Sequence, residues 1–179
     1  MSRRLSHAEE RDAARWEAVE EASELVAERS FEAALQALKA VVEKDAQNGY
    51  AYNLMGAIFW ELKQLEPARD AFRAAVLSSP NYLGARVSLS HTLRRLRDPV
   101  QAEREARLAI SRAGDDGDAH HALGLALLAQ GKRDLARRSL AIFLDSKPEF
   151  EAAQEVRGIL AMMDEGSEGD PLDTDDDDD

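Results

Sequence analysis

The apolar residues of this chain follow a helical spacing that recurs along its length. Tyr52, Met55 and Phe59 lie three and four residues apart, and the same spacing resumes after a polar stretch at Ala68 and Phe72. Four alanines hold equivalent places in successive blocks, each 34 residues from the next: Ala34, Ala68, Ala102 and Ala136. The pattern predicts an all-α chain built from repeated two-helix units.

Small and helix-breaking residues keep the same register. Gly56 and Gly124 lie 68 residues apart, as do two of the prolines. At Gly56 a larger side chain would hold two helix axes apart, so the glycine predicts a close helix crossing. The breakers fall where the units would begin a second helix, turn or end: Pro67, Pro80, Pro99, Gly131 and Pro148.

The segment GYAYNLMGAIFWELKQLEPARDAFRAAVLSSPN, residues 49–81, shows the unit most fully. With its Leu-Met-Gly, then Ala, Phe and Pro, it resembles the tetratricopeptide repeat, a helix–turn–helix unit. The copy at 117–150 keeps Leu123 and Gly124 with the later alanine and proline, whereas the copy at 83–116 has Ser90 in place of the glycine. The copy at 15–48 matches well only in its second half.

The resemblance implies a right-handed α-solenoid of helix–turn–helix repeats with a C-terminal capping helix. The predicted division is an N-terminal extension with the start of the first helix at 1–14, repeats at 15–48 (degenerate), 49–82, 83–116 and 117–150, a capping helix at 151–165 and a disordered acidic tail at 166–179. In the capping helix one apolar face is expected, and it carries Ala152, Val156, Ile159, Leu160 and Met163. The first helix is expected to bury Trp16, Val19, Ala22 and Val26.

Charge is unevenly distributed along the chain. The net charge is −12, but ten acidic residues and no basic residue lie between Asp164 and Asp179, which leaves 25 acidic and 23 basic residues in the body. The tail is too acidic and too poor in apolar residues to form a core. No cysteine is present, which excludes a thiol nucleophile and cysteine-based metal sites, and we expect a cytoplasmic protein without a membrane span.

Catalytic and metal-binding motifs are weak. His91 and His121 would approach each other across adjacent first helices, but a metal site needs three or four ligands. The glycines of GLALLAQGK, residues 124–132, are too far apart for a phosphate-binding loop. No set of nucleophile, base and oxyanion donor appears. The sequence therefore predicts no enzyme activity, no cofactor and no metal.

Basic residues concentrate in the third repeat, and three uses compete for them: a nucleic-acid patch, a docking site for an acidic partner or for the tail, and surface solubility. Interleaved acidic residues and the acidic tail argue against nucleic acid. The arginines are Arg86, Arg94, Arg95, Arg97, Arg104, Arg107 and Arg112.

In proteins that this chain resembles, the first helix of each repeat lines a concave groove that binds a peptide or a helix. The corresponding residues here are Tyr50, Asn53, Ala57, Trp60, Val87, His91, Arg94, Arg95, His121, Leu125 and Leu128. Trp60 is left over after the packing positions of its helix are assigned, and an exposed aromatic residue near arginines is typical of a binding hot spot. Some family members clamp a chaperone carboxylate in this groove, but Val19, Gly84 and Ser88 stand at clamp positions, so that clamp is not expected.

The leading functional hypothesis is a non-enzymatic protein–protein interaction module, an adaptor or scaffold that binds a peptide or amphipathic helix of a protein partner. No nucleic-acid or membrane partner is expected, and self-association is left open. Two alternatives remain: a small cytosolic secretion-type chaperone, and a protein whose acidic tail binds a basic partner.

Overall fold

The computed structural model describes residues 6–113 and 116–165, all of it helices joined by short turns. The predicted acidic tail lies outside the described residues. The helices are α1 (His7–Glu17), α2 (Glu20–Ala27), α3 (Phe31–Lys44), α4 (Gly49–Glu61), α5 (Leu65–Ser78), α6 (Leu83–Arg95), α7 (Pro99–Ala113), α8 (Gly117–Leu128), α9 (Arg133–Asp145) and α10 (Phe150–Glu165). Four helix pairs, α2–α3, α4–α5, α6–α7 and α8–α9, stack in chain order as an α-solenoid, and α10 packs on the last pair. Within the described residues, no helix has the length and apolarity needed to span a bilayer.

The small residues of the repeat lie where two helices of one pair touch. A Cβ atom added to Gly56 would lie 2.6 Å from the Phe72 ring, and one added to Gly124 would lie 2.6 Å from Leu140. Ser90 takes the equivalent place in the third repeat, and its buried hydroxyl donates to the Ala102 carbonyl oxygen at 2.8 Å. The predicted close crossing is therefore present in each of these pairs, because only a small side chain fits between the helices.

The turn inside each repeat has one backbone geometry. Arg29, Lys63, Arg97 and Gly131, spaced by 34 residues, adopt positive φ angles of 61°, 60°, 62° and 74°. This left-handed conformation ends the first helix of each pair. Three repeats place a basic residue there, where glycine would be unstrained, so the turn carries positive charge along one edge of the solenoid.

The hydrophobic core is shared between neighbouring repeats. Phe72 of α5 packs with Leu89 and Leu93 of α6, and Leu38 of α3 packs with Ile58 of α4. Each repeat therefore buries its apolar face only when the next repeat is present, as expected for a stack.

The N-terminal helix differs from the expectation for the first repeat. The chain breaks between α1 and α2, so α1 crosses the predicted boundary at residue 14. The expected burial of Trp16 is wrong, because Trp16 lies on α1 and is 50% exposed, whereas Val19 is fully buried. Arg15 holds α1 to the body by a 2.7 Å ion pair with Asp45, and Asn48 donates to the Arg15 carbonyl oxygen at 2.9 Å.

The closing helix α10 covers the end of the stack. Val156 is fully buried against Leu140 and Phe143, and Met163 packs on the last repeat. Arg137 of α9 pairs with Asp164 of α10 at 2.5 Å. The helix therefore shields apolar surface that the last repeat would otherwise expose.

Candidate peptide-binding groove

The first helices of the repeats bring predicted groove residues together across their boundaries. The Arg95 guanidinium of α6 lies 5.5 Å from the centroid of the Trp60 ring of α4. The rings of His91 on α6 and His121 on α8 have centroids 5.4 Å apart. These contacts bring Trp60 of α4 next to Arg95 of α6, and His91 of α6 next to His121 of α8.

A cleft of about 600 Å³ opens at the turn end of α4. Three of its residues, Ala57, Trp60 and His91, are among those predicted from the sequence. Its remaining walls come from the first repeat and from side chains facing it: Val26, Ala27, Arg29, Phe31, Glu61, Phe72 and Ser88. Sequence reasoning missed the first-repeat contribution because the first half of that repeat matches the pattern poorly. The signal available in the sequence was the 34-residue register, which places the end of the first helix of that repeat at residue 29.

Each of two aromatic walls of the cleft carries a guanidinium. Arg95 lies over Trp60, and the Arg29 guanidinium lies 5.2 Å from the centroid of the Phe31 ring. Arg29 also pairs with Glu61 across 3.4 Å. No carboxylate in residues 6–113 or 116–165 lies within ion-pair distance of Arg95. Arg95 therefore places a positive charge beside the apolar cleft, and no carboxylate of those residues forms an ion pair with it.

The two histidines occupy the middle of the groove. Burial, followed by the proximity of His121 and of Arg94, lowers the pKa of His91 to about 4. His121 stacks on Phe143 at 4.5 Å, and burial lowers its pKa against the opposing influence of Glu155. Both rings are therefore neutral at pH 7. Among the described residues, no group of three or more His, Asp or Glu side chains is arranged to hold a metal ion.

Tyr50 and Asn53 lie at the opposite end of α4 from the cleft, in an aromatic cluster. The Tyr50 hydroxyl donates to Asp12 of α1 at 2.9 Å, and its ring lies between Trp16 and Tyr82 at 5.3 and 5.0 Å. Asn53 donates through Nδ2 to the Tyr82 hydroxyl at 3.0 Å. Burial and the Asp12 contact raise the pKa of Tyr50 to about 12. These side chains contact α1 and Tyr82, the residue before α6, so the N-terminal helix already covers part of the predicted groove.

The apolar residues predicted at the far end of the groove pack mainly into the core. Leu125 is 8% exposed and packs with Leu140, Phe143 and Val156, which corrects its predicted place on the open surface. Val87 and Leu128 are partly buried against a neighbouring core cluster. The capping helix accounts for the difference, because it packs on the end of the stack where Leu125 lies.

The arginines of the third repeat fall into two groups, according to whether they are paired within the fold. Arg86 is buried and pairs with Glu105 at 2.6 Å, and Arg107 pairs with the buried Glu103. Arg112 donates to the Pro80 carbonyl oxygen at 2.8 Å. These three arginines stabilise the fold and are not available as a single basic patch. Arg94 and Arg95 differ because neither has an ion-pair partner among the described residues, and Arg95 lies over the Trp60 ring.

Six buried side-chain atoms on α4, α6 and α8 have no hydrogen-bond partner in the described part of the chain. Three belong to predicted groove residues, Asn53 Oδ1, Arg94 Nε and His121 Nε2, and the others are Arg86 Nε and both ring nitrogens of His120. Buried polar groups in proteins are nearly always paired, and an unpaired one is destabilising. Asn53, Arg94 and His121 therefore keep unused hydrogen-bonding capacity within the described residues.

The sequence model of the tetratricopeptide repeat matches residues 19–82 and 121–166. The chain therefore belongs to the tetratricopeptide repeat family. No curated protein sequence matches it.

Solved structures show the same architecture at low sequence identity. MamA from Desulfovibrio magneticus RS-1 is 19% identical, with a TM-score of 0.68 over 80% of this chain and 81% of MamA. YrrB, described as a TPR protein with an unusual peptide-binding site, is 22% identical, with a TM-score of 0.65 over 80% and 74%. The first TPR of Spaghetti (RPAP3) bound to the HSP90 peptide SRMEEVD is 21% identical, with a TM-score of 0.59 over 66% and 95%. The predicted right-handed solenoid class is confirmed.

Proposed function

We propose that this chain is a non-enzymatic adaptor that holds a peptide or an amphipathic helix of a partner protein against the surface of α4, α6 and α8. The observation that carries the proposal is the cleft at Trp60, which is apolar, about 600 Å³ in volume and open on a repeat scaffold. Pockets of this size that are lined by aromatic side chains are typical binding sites. The peptide complexes or sites described for YrrB and RPAP3 support the same use of the fold.

The charged groups of the body support a structural role rather than chemistry. Glu103 is buried, and its Oε2 accepts from Gln130 at 2.6 Å and from Lys132 at 2.9 Å. His121 stacks on Phe143, and among the described residues neither ring of the histidine pair is hydrogen-bonded to a hydroxyl or carboxylate that it could activate. Binding by a preformed surface needs none of these groups to react.

A matched pair of tryptophan variants tests the proposal. Trp60→Ala removes a wall of the cleft, whereas Trp16→Ala removes a half-exposed ring on α1 outside it. Each variant and the intact chain, checked for cooperative melting, are used to capture partners from native lysate. We expect partner proteins that bind the intact chain and Trp16→Ala but not Trp60→Ala.

Two outcomes of the same experiment would contradict the proposed binding site. Partners that persist on Trp60→Ala would move the binding site to another surface or to the acidic tail. Partners lost on Trp16→Ala alone would assign recognition to the aromatic cluster at Tyr50.

A further inference from the structure

We propose that the groove selects a partner segment in which a large apolar side chain is followed within a few residues by a carboxylate, with the apolar group in the Trp60 cleft and the carboxylate on Arg94 and Arg95. The inference rests on the proposed function and names the chemistry of the bound segment. It commits to a protein partner with that pattern as the occupant.

The cleft accounts for the apolar half of the pattern. Phe31, Trp60 and Phe72 line it together with the aliphatic Val26 and Ala57. Burial of an apolar side chain against such walls removes both surfaces from water. Aromatic rings in a pocket are frequent binding hot spots, and a volume of about 600 Å³ leaves room for a side chain as large as phenylalanine or leucine.

The arginines account for the acidic half. The other buried or half-buried arginines of the described residues have carboxylate partners: Arg15 with Asp45, Arg69 with Asp70, Arg86 with Glu105 and Arg137 with Asp164. Arg94 has a buried Nε without a hydrogen-bond partner, and no carboxylate of the described ranges lies within ion-pair distance of it. A desolvated guanidinium gains most from an anionic partner, which it binds through charge-assisted hydrogen bonds.

The surrounding charges favour an acidic segment over a basic one. Burial and the neighbouring Arg95 lower the pKa of Arg94, and only Glu155 of α10 opposes this. Glu61 at the cleft is already paired with Arg29. Since His91 is neutral at pH 7, it contributes no charge between the cleft and the arginines. A ligand carboxylate would therefore meet the positive charges of Arg94 and Arg95, neither of which has an ion-pair partner in the described ranges.

The two halves of the site are adjacent. Arg95 lies over the Trp60 ring that forms the cleft wall, and Arg94 lies one helical turn after His91, which lines the same cleft. A single extended segment spans about 3.3 Å per residue, so one or two residues separate the two contacts. This spacing fixes how far the carboxylate follows the apolar side chain in the bound segment.

Calorimetric titration of the full chain with two synthetic peptides tests the inference. Both peptides are capped at their ends and carry one phenylalanine; the first has two aspartates shortly after it, and the second has asparagines at those places. We expect the aspartate peptide to bind about tenfold more tightly at low salt, the size of one charge-assisted hydrogen bond. The difference should shrink as salt is added.

Paired double variants assign the difference to the groove. Arg94→Gln with Arg95→Gln should bring the affinity ratio of the two peptides close to one. Arg104→Gln with Arg138→Gln removes the same charge from two exposed positions on α7 and α9 and should keep the ratio. Equal loss in both double variants would show a net-charge effect and overturn the inference.

A cleft-filling variant separates failure of the inference from failure of the proposed function. Ser88→Leu should weaken both peptides, and Ala57→Leu serves if that variant does not melt cooperatively. If both peptides bind equally and Ser88→Leu weakens both, the groove binds peptides but the carboxylate preference is wrong. If neither peptide binds while Trp60→Ala still loses captured partners, the proposed function stands and this pattern is wrong.

The absence of cysteine allows one further arm, which tests the chain's own tail as the occupant. Thr174→Cys in a Trp16→Phe background carries a single spin label near the acidic residues, and Trp60 becomes the only tryptophan. Quenching of Trp60 fluorescence that added salt or aspartate peptide relieves would identify the tail as the resident ligand. That result would overturn the assignment to a partner.

Discussion

Single small residues set the helix spacing within each repeat. Gly56 leaves room for the Phe72 ring, and Gly124 leaves room for Leu140. Ser90 fits at the same crossing in the third repeat because its hydroxyl donates a hydrogen bond to the Ala102 carbonyl oxygen. The repeat thus tolerates a polar atom at a buried crossing only where a backbone acceptor is present.

A pair of glycine-to-alanine changes tests this at the residue scale. Gly56→Ala should destabilise the protein by about 1–3 kcal/mol, because the new methyl group overlaps the Phe72 ring. Gly158→Ala on α10 meets no atom within 4 Å and should stabilise by about 0.5–1 kcal/mol, because alanine favours a helix interior. Urea unfolding of both variants gives the two signs. Stabilisation by Gly56→Ala would show that the crossing relaxes.

The first helices of neighbouring repeats pack side by side, and the rings of His91 on α6 and His121 on α8 are in contact. Because the pKa of His91 is about 4 in the folded protein, His91 binds a proton there only near pH 4, whereas an unfolded histidine binds one near its ordinary pKa of 6.5. The unfolded state therefore binds more protons between these values, and the free energy of unfolding falls as pH decreases through this window. Above about pH 7 both states are unprotonated and the effect is absent.

This gives a pH prediction at the scale of helix packing. Between pH 7 and pH 4 the protein should lose on the order of 2–3 kcal/mol of stability through His91. His91→Gln should lose less over the same range, and His7→Gln, at an exposed position on α1, should follow the unmodified chain. Urea midpoints measured at several pH values decide the matter. Parallel curves for all three proteins would show that His91 is not the group responsible.

At the scale of the whole molecule, stability is distributed between neighbours. Three core clusters contain residues from consecutive repeats, and a fourth joins the last repeat to α10 through Val156. Such stacks gain stability mainly at their interfaces, so a defect at one end should loosen that end first.

Val156→Ala tests this distribution. Loss of two buried methyl groups should cost about 1–3 kcal/mol, and amide exchange should accelerate more in α8, α9 and α10 than in α2, α3 and α4. Val100→Ala, at a position that is 65% exposed, serves as the control and should change neither. Uniform acceleration along the chain would indicate that the stack unfolds as one unit.

The sequence alone determined the repeat, its two-helix unit and the places of its small residues. These follow from helical periodicity and from burial of one face, which are local properties repeated every 34 residues. The same reasoning brought Ala57, Trp60 and His91 to one surface, because residues at equivalent repeat positions share a face.

Only the tertiary structure decided what the surface contains. Arg29 and Phe31 join the cleft, α1 covers Tyr50, and the capping helix draws Leu125 into the core. The residues in each of these contacts are not related by the 34-residue repeat. They meet at interfaces between helices that are set by side-chain packing. Periodicity identifies which face of a helix is buried, but the partner that covers that face depends on how whole helices pack together.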